Sequence, residues 1–357
     1  MTPFFENTGV HVLVDGQFGS TGKGAFASFL AKRAAEEGKL AQFDGAISSS
    51  GPNSGHTSYF GHSKIVLKQL PTFAAHAQLL GYTMPVYLSA GAIIDPNVLR
   101  EEALAWPQIP IYVHPNAALV NFVDKGVEKG GTIAAIASTQ SGTGAGLARK
   151  ILRHPDAVIG NPANADLVAS LPRNVSIQQH RMKPENGAYF MEVAQGFSLG
   201  LNSEFYPHVT SRECTVMQGI ADARIPPRWV SKTYVCFRTH PIRVGNLGAF
   251  SSGGWYKDQV ETTWEEIGVK AELTTVTKRV RRVATFSVDQ FVDAIRANDP
   301  DWIAINFLNY YPDQNDRAEM IDALTEMRDL HHQRYGRHFG IVGGYGPNAA
   351  QWKVVND

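Results

Sequence analysis

The stretch that most constrains this 357-residue chain is VHVLVDGQFGSTGKGAFASFL, residues 10–30. An apolar, β-prone run from Val10 to Val14 stops at a glycine-rich loop, and beyond Lys23 the residues Phe26, Phe29 and Leu30 recur at helical spacing. The unit reads as strand, loop, helix. Gly16, Gly19, Gly22 and Gly24 let backbone N–H groups turn inward, and a helix N-terminus adds partial positive charge. Such a loop suits a phosphate, with Lys23 as the point charge. The common phosphate-loop pattern G-x-x-x-x-G-K-[ST] is missed at both ends, by Gln17 and by Gly24. On composition alone, a glycine-rich turn with no ligand stays open.

Charge excludes several function classes. Lys and Arg together number 33, as do Asp and Glu, so no global field recruits a nucleic acid, and the one dense basic run is Lys278–Arg282. Apolar runs are short and interrupted, so no membrane span is expected. The N-terminus, MTPFFENTG, lacks the charged region and apolar core of a signal peptide. Cys214 and Cys236, without metal-ligand spacing, read as the reduced cysteines of a cytoplasmic protein.

Strand-like and helix-like segments alternate along the chain. The first helix is expected to stop near Gly38; Val86–Leu88 reads as a strand, Asp95-Pro96 as N-cap and first helical residue of a helix through Trp106, and Ile111–His114 as a short strand. Ser287 with Gln290 forms a capping box for Val288–Asn298, Trp302–Leu308 is a strand, and a helix surrounds Arg317–Leu330. Residues 155–188, rich in Pro, Asn and Asp, read as a peripheral loop-rich excursion. The regime predicts an α/β protein, one domain over residues 1–357, with a mainly parallel central sheet covered by helices on both faces. Ligands in such sheets gather at the carboxyl ends of the strands.

The string Gln17-Phe18-Gly19-Ser20-Thr21-Gly22-Lys23-Gly24 resembles the Q-W-G-D-E-G-K-G signature of the adenylosuccinate synthetase family, with Ser20 in place of the catalytic aspartate. Further matches follow at the family's distances over nearly the whole chain. Asn53-Ser54-Gly55-His56-Thr57 resembles N-A-G-H-T; Ser138-Thr139-Gln140-Ser141-Gly142 resembles the start of T-T-G-R-G-I-G-P, although composition alone fits a flexible surface loop equally well. Glu192-Val193-Ala194-Gln195-Gly196, followed by Tyr206–Ser211, is similar to F-E-G-A-Q-G and Y-P-Y-V-T-S, with Asn202 and Ser203 replacing an Asp-His pair. Glu272–Arg282 is similar to E-x-x-x-T-T-G-R-P-R-R, with Lys278 for Gly and Val280 for Pro. Taken without the resemblance, that last run is as well explained by a solvated basic loop.

The resemblance implies a set of roles. Lys23 and His56 would act on the transferred phosphoryl group with Ser20 beside them; Gln17, Gly19, Thr21, Gly22, Gly24, Asn53 and Thr57 would bind nucleotide or phosphate. Ser138, Thr139 and Thr210 would touch phosphate, Gln195 the purine edge, and Asn309, Gly344, Gly346 and Pro347 the donor nucleotide. Thr277, Arg279 and Arg281 would hold L-aspartate, whose carboxylates suit guanidinium forks. Mg²⁺ would lie near Ser20 and Gly55, and Arg153 falls where the family reaches into a neighbouring subunit, which implies a homodimer.

The family moves a γ-phosphate onto the 6-oxygen of a purine monophosphate, and the amine of aspartate then displaces it. A serine hydroxyl is a poor base for the adjacent ring proton. An uncharged Ser20 instead leaves room for the 2-amino group of guanine, and Asn309, in place of a guanine-reading aspartate, suits an adenine nucleotide as donor. The pair resembles a viral branch of the family, the N6-succino-2-amino-2′-deoxyadenylate synthases, which take dGMP, L-aspartate and ATP or dATP toward 2-aminoadenine. In that case the enzyme works in host cytoplasm. The group replacing the base is left open between Asp15, water and a substrate phosphate. An adenylosuccinate synthetase acting on IMP and a non-catalytic purine nucleotide sensor are the alternatives.

Overall fold

The computed structural model describes residues 3–130, 136–180, 182–274 and 278–356. Val10, Val12 and Val14 point to one side of the first strand, and His11 and Leu13 to the other; all are buried, so this strand must be central. It is the middle of a ten-stranded sheet. The strands are β1 (Gly9–Asp15), β2 (Phe43–Ser48), β3 (Val86–Leu88), β4 (Ile111–Val113), β5 (Val175–Ile177), β6 (Ala188–Glu192), β7 (Val230–Arg238), β8 (Trp302–Asn306), β9 (Gly340–Gly344) and β10 (Trp352–Asn356). Their order across the sheet is β10-β9-β8-β7-β1-β6-β2-β3-β4-β5, and every pairing is parallel except β9 with β10.

Helices cover both faces. Phe26 and Leu30 of the helix Lys23–Glu36 pack with Leu13, Phe190 and Tyr234 on one side, while Val10, Val12 and Val14 meet Phe291 and Ile295 of the helix Val288–Asn298 on the other. Among the described residues no helix is long and apolar enough to cross a membrane.

Asp95 caps Pro96–Ala105 as expected, its carboxylate accepting from the Asn97 N–H at 3.0 Å. Two expectations are corrected. The segment 155–188 is not wholly peripheral: Val175–Ile177 adds itself to the sheet edge beside β4, where half-buried Val175 and Ile177 complete the packing of a short strand. The capping box at Ser287 forms only in half. Ser287 accepts from the Gln290 N–H at 2.9 Å, but the Gln290 amide turns away to donate to Ser198 Oγ at 2.8 Å.

Neighbouring strands set the site. Because β1 lies between β6 and β7, its glycine loop emerges beside the Gln195 turn on one hand and Arg238 on the other.

Candidate active site

Asp15 ends β1 with its carboxylate buried beneath the glycine loop. One oxygen accepts from the N–H groups of Gln17 at 2.9 Å and Gly19 at 3.3 Å. The other accepts from Thr21 N at 3.3 Å, Thr21 Oγ1 at 2.5 Å and Lys23 Nζ at 3.2 Å. With both oxygens spent on five donors, Asp15 is the loop's internal anchor and not a free base. Lys23 also donates to the Gln195 carbonyl at 2.8 Å, which ties the loop to the end of β6. Gly22, at φ +90°, is the N-cap of the helix; a β-carbon there would meet the Asn306 amide at 1.9 Å. Only glycine satisfies both conditions. Ser20 also has positive φ, 56°, and its side chain is exposed at the loop's tip.

Above the helix N-terminus lies the strand His56–Phe60, which forms a hairpin with Ser63–Leu67. A β-carbon on Gly24 would lie 2.7 Å from the Thr57 carbonyl, so the missing side chain is what lets the hairpin approach. His56 is buried, and its Nε2 has no partner among the described residues. Burial first, and the Lys23 charge second, pull its imidazolium down to about 3, so the ring is neutral at physiological pH. A neutral ring has one N–H to give, and the orphaned nitrogen marks a place for a ligand group.

The loop and the hairpin bound a cleft of about 520 Å³. Of the residues singled out in the sequence it brings together Gly19, Ser20, Thr21, Gly22, Lys23, Gly24, Asn53, Gly55, His56, Thr57, Thr139, Gln195, Arg281, Asn309, Gly346 and Pro347. The Gln195 amide nitrogen is buried without a partner among the described residues, a donor that a ligand's acceptor could take.

Others sit elsewhere. The Gln17 amide is not aimed at the cleft; it brackets the main chain of Arg238, donating to its carbonyl at 3.2 Å and accepting from its N–H at 2.9 Å. Gly344 lies within β9, buried where a β-carbon would strike Asn306 and Trp352, so its role is packing. Ser138 and Thr210 do not line the cleft, and Arg153 is exposed. Arg279 donates to the carbonyls of Ala137 at 3.0 Å and Ser138 at 3.5 Å, so of the two arginines only Arg281 lines the cleft. Thr277 lies outside the described residues.

What sequence reasoning missed is the cluster behind Arg281. The Arg238 fork holds Glu272 (Nη2–Oε1 2.5 Å), and the Tyr310 hydroxyl donates to the same oxygen at 2.7 Å. Burial pushes the Glu272 carboxyl up, but the Arg238 charge and the hydrogen bonds of Arg238 and Tyr310 outweigh it, so the net shift is downward. Burial lowers Arg281 to about 10, still cationic at neutral pH. These partners are separated by 34 and 38 residues, a distance that no local pattern spans.

For Mg²⁺ the cleft offers neutral oxygens, the Ser20 hydroxyl and the Gly55 carbonyl. Among the described residues no group of three His, Cys, Asp or Glu is placed to hold a metal ion. This donor set fits an ion carried chiefly by substrate phosphates, which is how Mg²⁺ is commonly bound.

The family profile of adenylosuccinate synthetase matches residues 161–322. The chain is 36% identical over 313 residues to the N6-succino-2-amino-2′-deoxyadenylate synthase of Vibrio phage phiVC8, covering 84% of this chain and 86% of that one. It is 26% identical to the adenylosuccinate synthetase of Pyrococcus sp. (strain ST700), over 84% of each chain. Among solved structures, the cyanophage S-2L succinoaminodeoxyadenylate synthetase PurZ, bound to dGMP and to dATP as an energy donor, superposes with a TM-score of 0.83 at 31% identity, covering 97% of this chain and 95% of that one. With its parallel sheet, its glycine loop carrying Ser20 and these likenesses, the chain belongs to the adenylosuccinate synthetase family, in the branch of the phage N6-succino-2-amino-2′-deoxyadenylate synthases.

Proposed function

We propose that the protein joins L-aspartate to the 6-position of dGMP, driven by ATP or dATP through a 6-phosphoryl intermediate, and releases N6-succino-2-amino-2′-deoxyadenylate. The observation that carries this reading is Ser20, short, uncharged and exposed at the loop tip beside Lys23 and His56. An aspartate there would crowd the 2-amino group of guanine; a serine admits it. Asn309, beside Gly346 and Pro347 in the same cleft, both donates and accepts, as an adenine donor requires.

The roles follow from the chemistry. Lys23 and the loop amides that Asp15 does not take meet charge on the transferring phosphoryl oxygens, and the neutral His56 donates toward the 6-oxygen. Mg²⁺, when bound, offsets the charge of the triphosphate, and Ser20 with Gly55 would supply the chain's oxygens. With Asp15 engaged by five donors, the ring proton leaves to water or to a substrate phosphate. Arg281 holds a carboxylate of aspartate, and Arg279 shapes that loop against residues 137–138.

We further propose a homodimer working in host cytoplasm. Exposed Phe122, Val123, Val127, Ile151 and Leu152 lie on two helices, Phe122–Glu128 and Thr143–Ile151, and on the residue after the second; an ion pair between Arg149 and Asp124 joins the helices, and Arg153 follows at once. An apolar patch of this kind marks an interface, and it would carry Arg153 toward a neighbouring site.

The deciding experiment is phosphate release with L-aspartate, Mg²⁺ and ATP, comparing dGMP with IMP. Turnover with dGMP and not IMP is expected. Turnover with IMP alone would return the protein to ordinary adenylosuccinate synthesis, and turnover with neither, despite tight nucleotide binding, would make it a sensor.

A further inference from the structure

Arg238 ends β7 with a fully buried side chain. Its Nη1 donates to the Ser20 carbonyl at 3.1 Å and lies 3.4 Å from Glu272 Oε2, while Nη2 holds Oε1 at 2.5 Å. The Phe307 ring faces the guanidinium at 4.1 Å. Glu272 in turn lies 4.0 Å from Arg281 Nε. One guanidinium is therefore shared between the loop bearing Ser20 and the loop ending in Arg281.

We propose that Arg238 and Glu272 are positioning residues that couple filling of the Arg281 side of the cleft by a dicarboxylate to the geometry of the Ser20 loop. The inference rests on the ligation proposed above. A buried guanidinium depends on its carboxylate, and here that carboxylate also faces Arg281. A ligand carboxylate that takes Arg281 leaves Glu272 to Arg238 and Tyr310, which firms the fork that also holds the Ser20 carbonyl. Ser20 has left-handed backbone, so the direction of its carbonyl fixes where the hydroxyl and the next amides point. Occupancy of the amino-acid subsite thereby favours phosphoryl transfer, a coupling between two sites.

The test separates phosphoryl transfer from ligation. ATP labelled in its β,γ-bridging oxygen is incubated with the full chain, Mg²⁺ and dGMP. Transfer of the γ-phosphoryl group to the 6-oxygen frees the ADP β-phosphate to rotate, and the reverse step returns ATP with the label moved to a non-bridging position. Succinate is then added, because it has two carboxylates and no amine to consume the intermediate. In the wild type, scrambling is expected to rise about 5-fold or more with succinate, within the usual range of such couplings. Glu272→Gln and Arg238→Lys should scramble at a rate that succinate does not change. Tyr310→Phe, which removes one hydrogen bond to Glu272 and leaves the buried pair intact, should show a reduced response even if the other variants fail to fold. A purely structural role would lower the rate and spare the succinate response. No response in the wild type, or a full response in every folded variant, overturns the coupling; a wild type with no dGMP-dependent scrambling overturns the ligation itself.

Discussion

Ser20 is where this chain departs from its family in chemistry, and its backbone makes the departure testable. At φ 56° it occupies the left-handed region, which Asp tolerates better than most residues, and its side chain faces the open cleft. Ser20→Asp should therefore fold normally. It should nonetheless lose on the order of 100-fold or more in turnover with dGMP, because the larger carboxylate occupies the space that the 2-amino group needs. Steady-state kinetics with an unchanged melting temperature would bear this out; wild-type turnover with dGMP would remove Ser20 as the specificity switch. The position was legible in the sequence because Gly19, Gly22, Lys23 and Gly24 flank it at fixed spacing. Asp15 was not: nothing local separates a free base from an anchor accepting five hydrogen bonds, since three of those bonds come from main-chain N–H groups that turn toward it only once the loop is folded.

The same contrast separates strands from connections. Val10–Val14 and the capped helix Pro96–Ala105 carry their own periodicity or cap and form where the pattern puts them. The strand expected over Trp302–Leu308 instead ends at Asn306, because Phe307 turns left-handed (φ 64°) and a 3₁₀ turn follows. Val175–Ile177 alternates, but over only three residues, too few to read as a strand; it becomes one because β4 offers an edge and a floor of apolar side chains. Nor does sequence reveal that the hairpin of His56 rests on Gly24, a contact made by an absent side chain. Gly24→Ala would place a β-carbon 2.7 Å from the Thr57 carbonyl and 3.1 Å from its nitrogen, and backbone on both sides leaves little to yield. Overpacking of this kind costs about 1–3 kcal/mol. The larger effect is on catalysis, because the hairpin must lift and take His56 with it; a misplacement of about 1 Å can cost roughly 100-fold. The variant should thus bind nucleotide weakly and turn over poorly while still folding. Activity within twofold of wild type would show that the hairpin does not set His56.

Burial on this scale also fixes how the protein responds to acid. Burial holds His11 and His56 near about 3, and His76 and His240 near about 4, against 6.5 unfolded. The unfolded chain therefore takes up protons below pH 6.5 that the folded chain refuses, and stability present above 6.5 is lost as pH falls, by roughly 1 kcal/mol per pH unit for each histidine. Glu192 acts oppositely: burial raises it to about 7, so its contribution is present below 4.5 and lost as pH rises through 7. Burial raises Glu102 and Asp222 in the same sense as Glu192, and it lowers His114, His208 and His331 like the other four histidines. Seven histidines outweigh three carboxyls, and the melting temperature should fall between pH 6.5 and 4.5, whereas Glu192→Gln should raise it at pH 8 and change it little at pH 4.5; a flat profile would contradict the buried neutral histidines. Assembly is the other property of the chain as a unit. Phe122 is 85% and Leu152 70% exposed on adjoining helix ends, and on this apolar surface the proposed dimer rests. A two-fold axis through this patch would bury both copies of it and bring each Arg153 to its neighbour. Phe122→Asp with Leu152→Asp should then sediment as a single 39.0 kDa chain where the wild type sediments as two. Losing one charged hydrogen bond to a nucleotide phosphate costs about 1.5–3 kcal/mol, so the monomer should also lose about 10- to 100-fold in catalytic efficiency with dGMP. Arg153→Ala should show that loss while remaining a dimer. A monomeric double variant with full activity would separate assembly from catalysis and leave Arg153 outside the site.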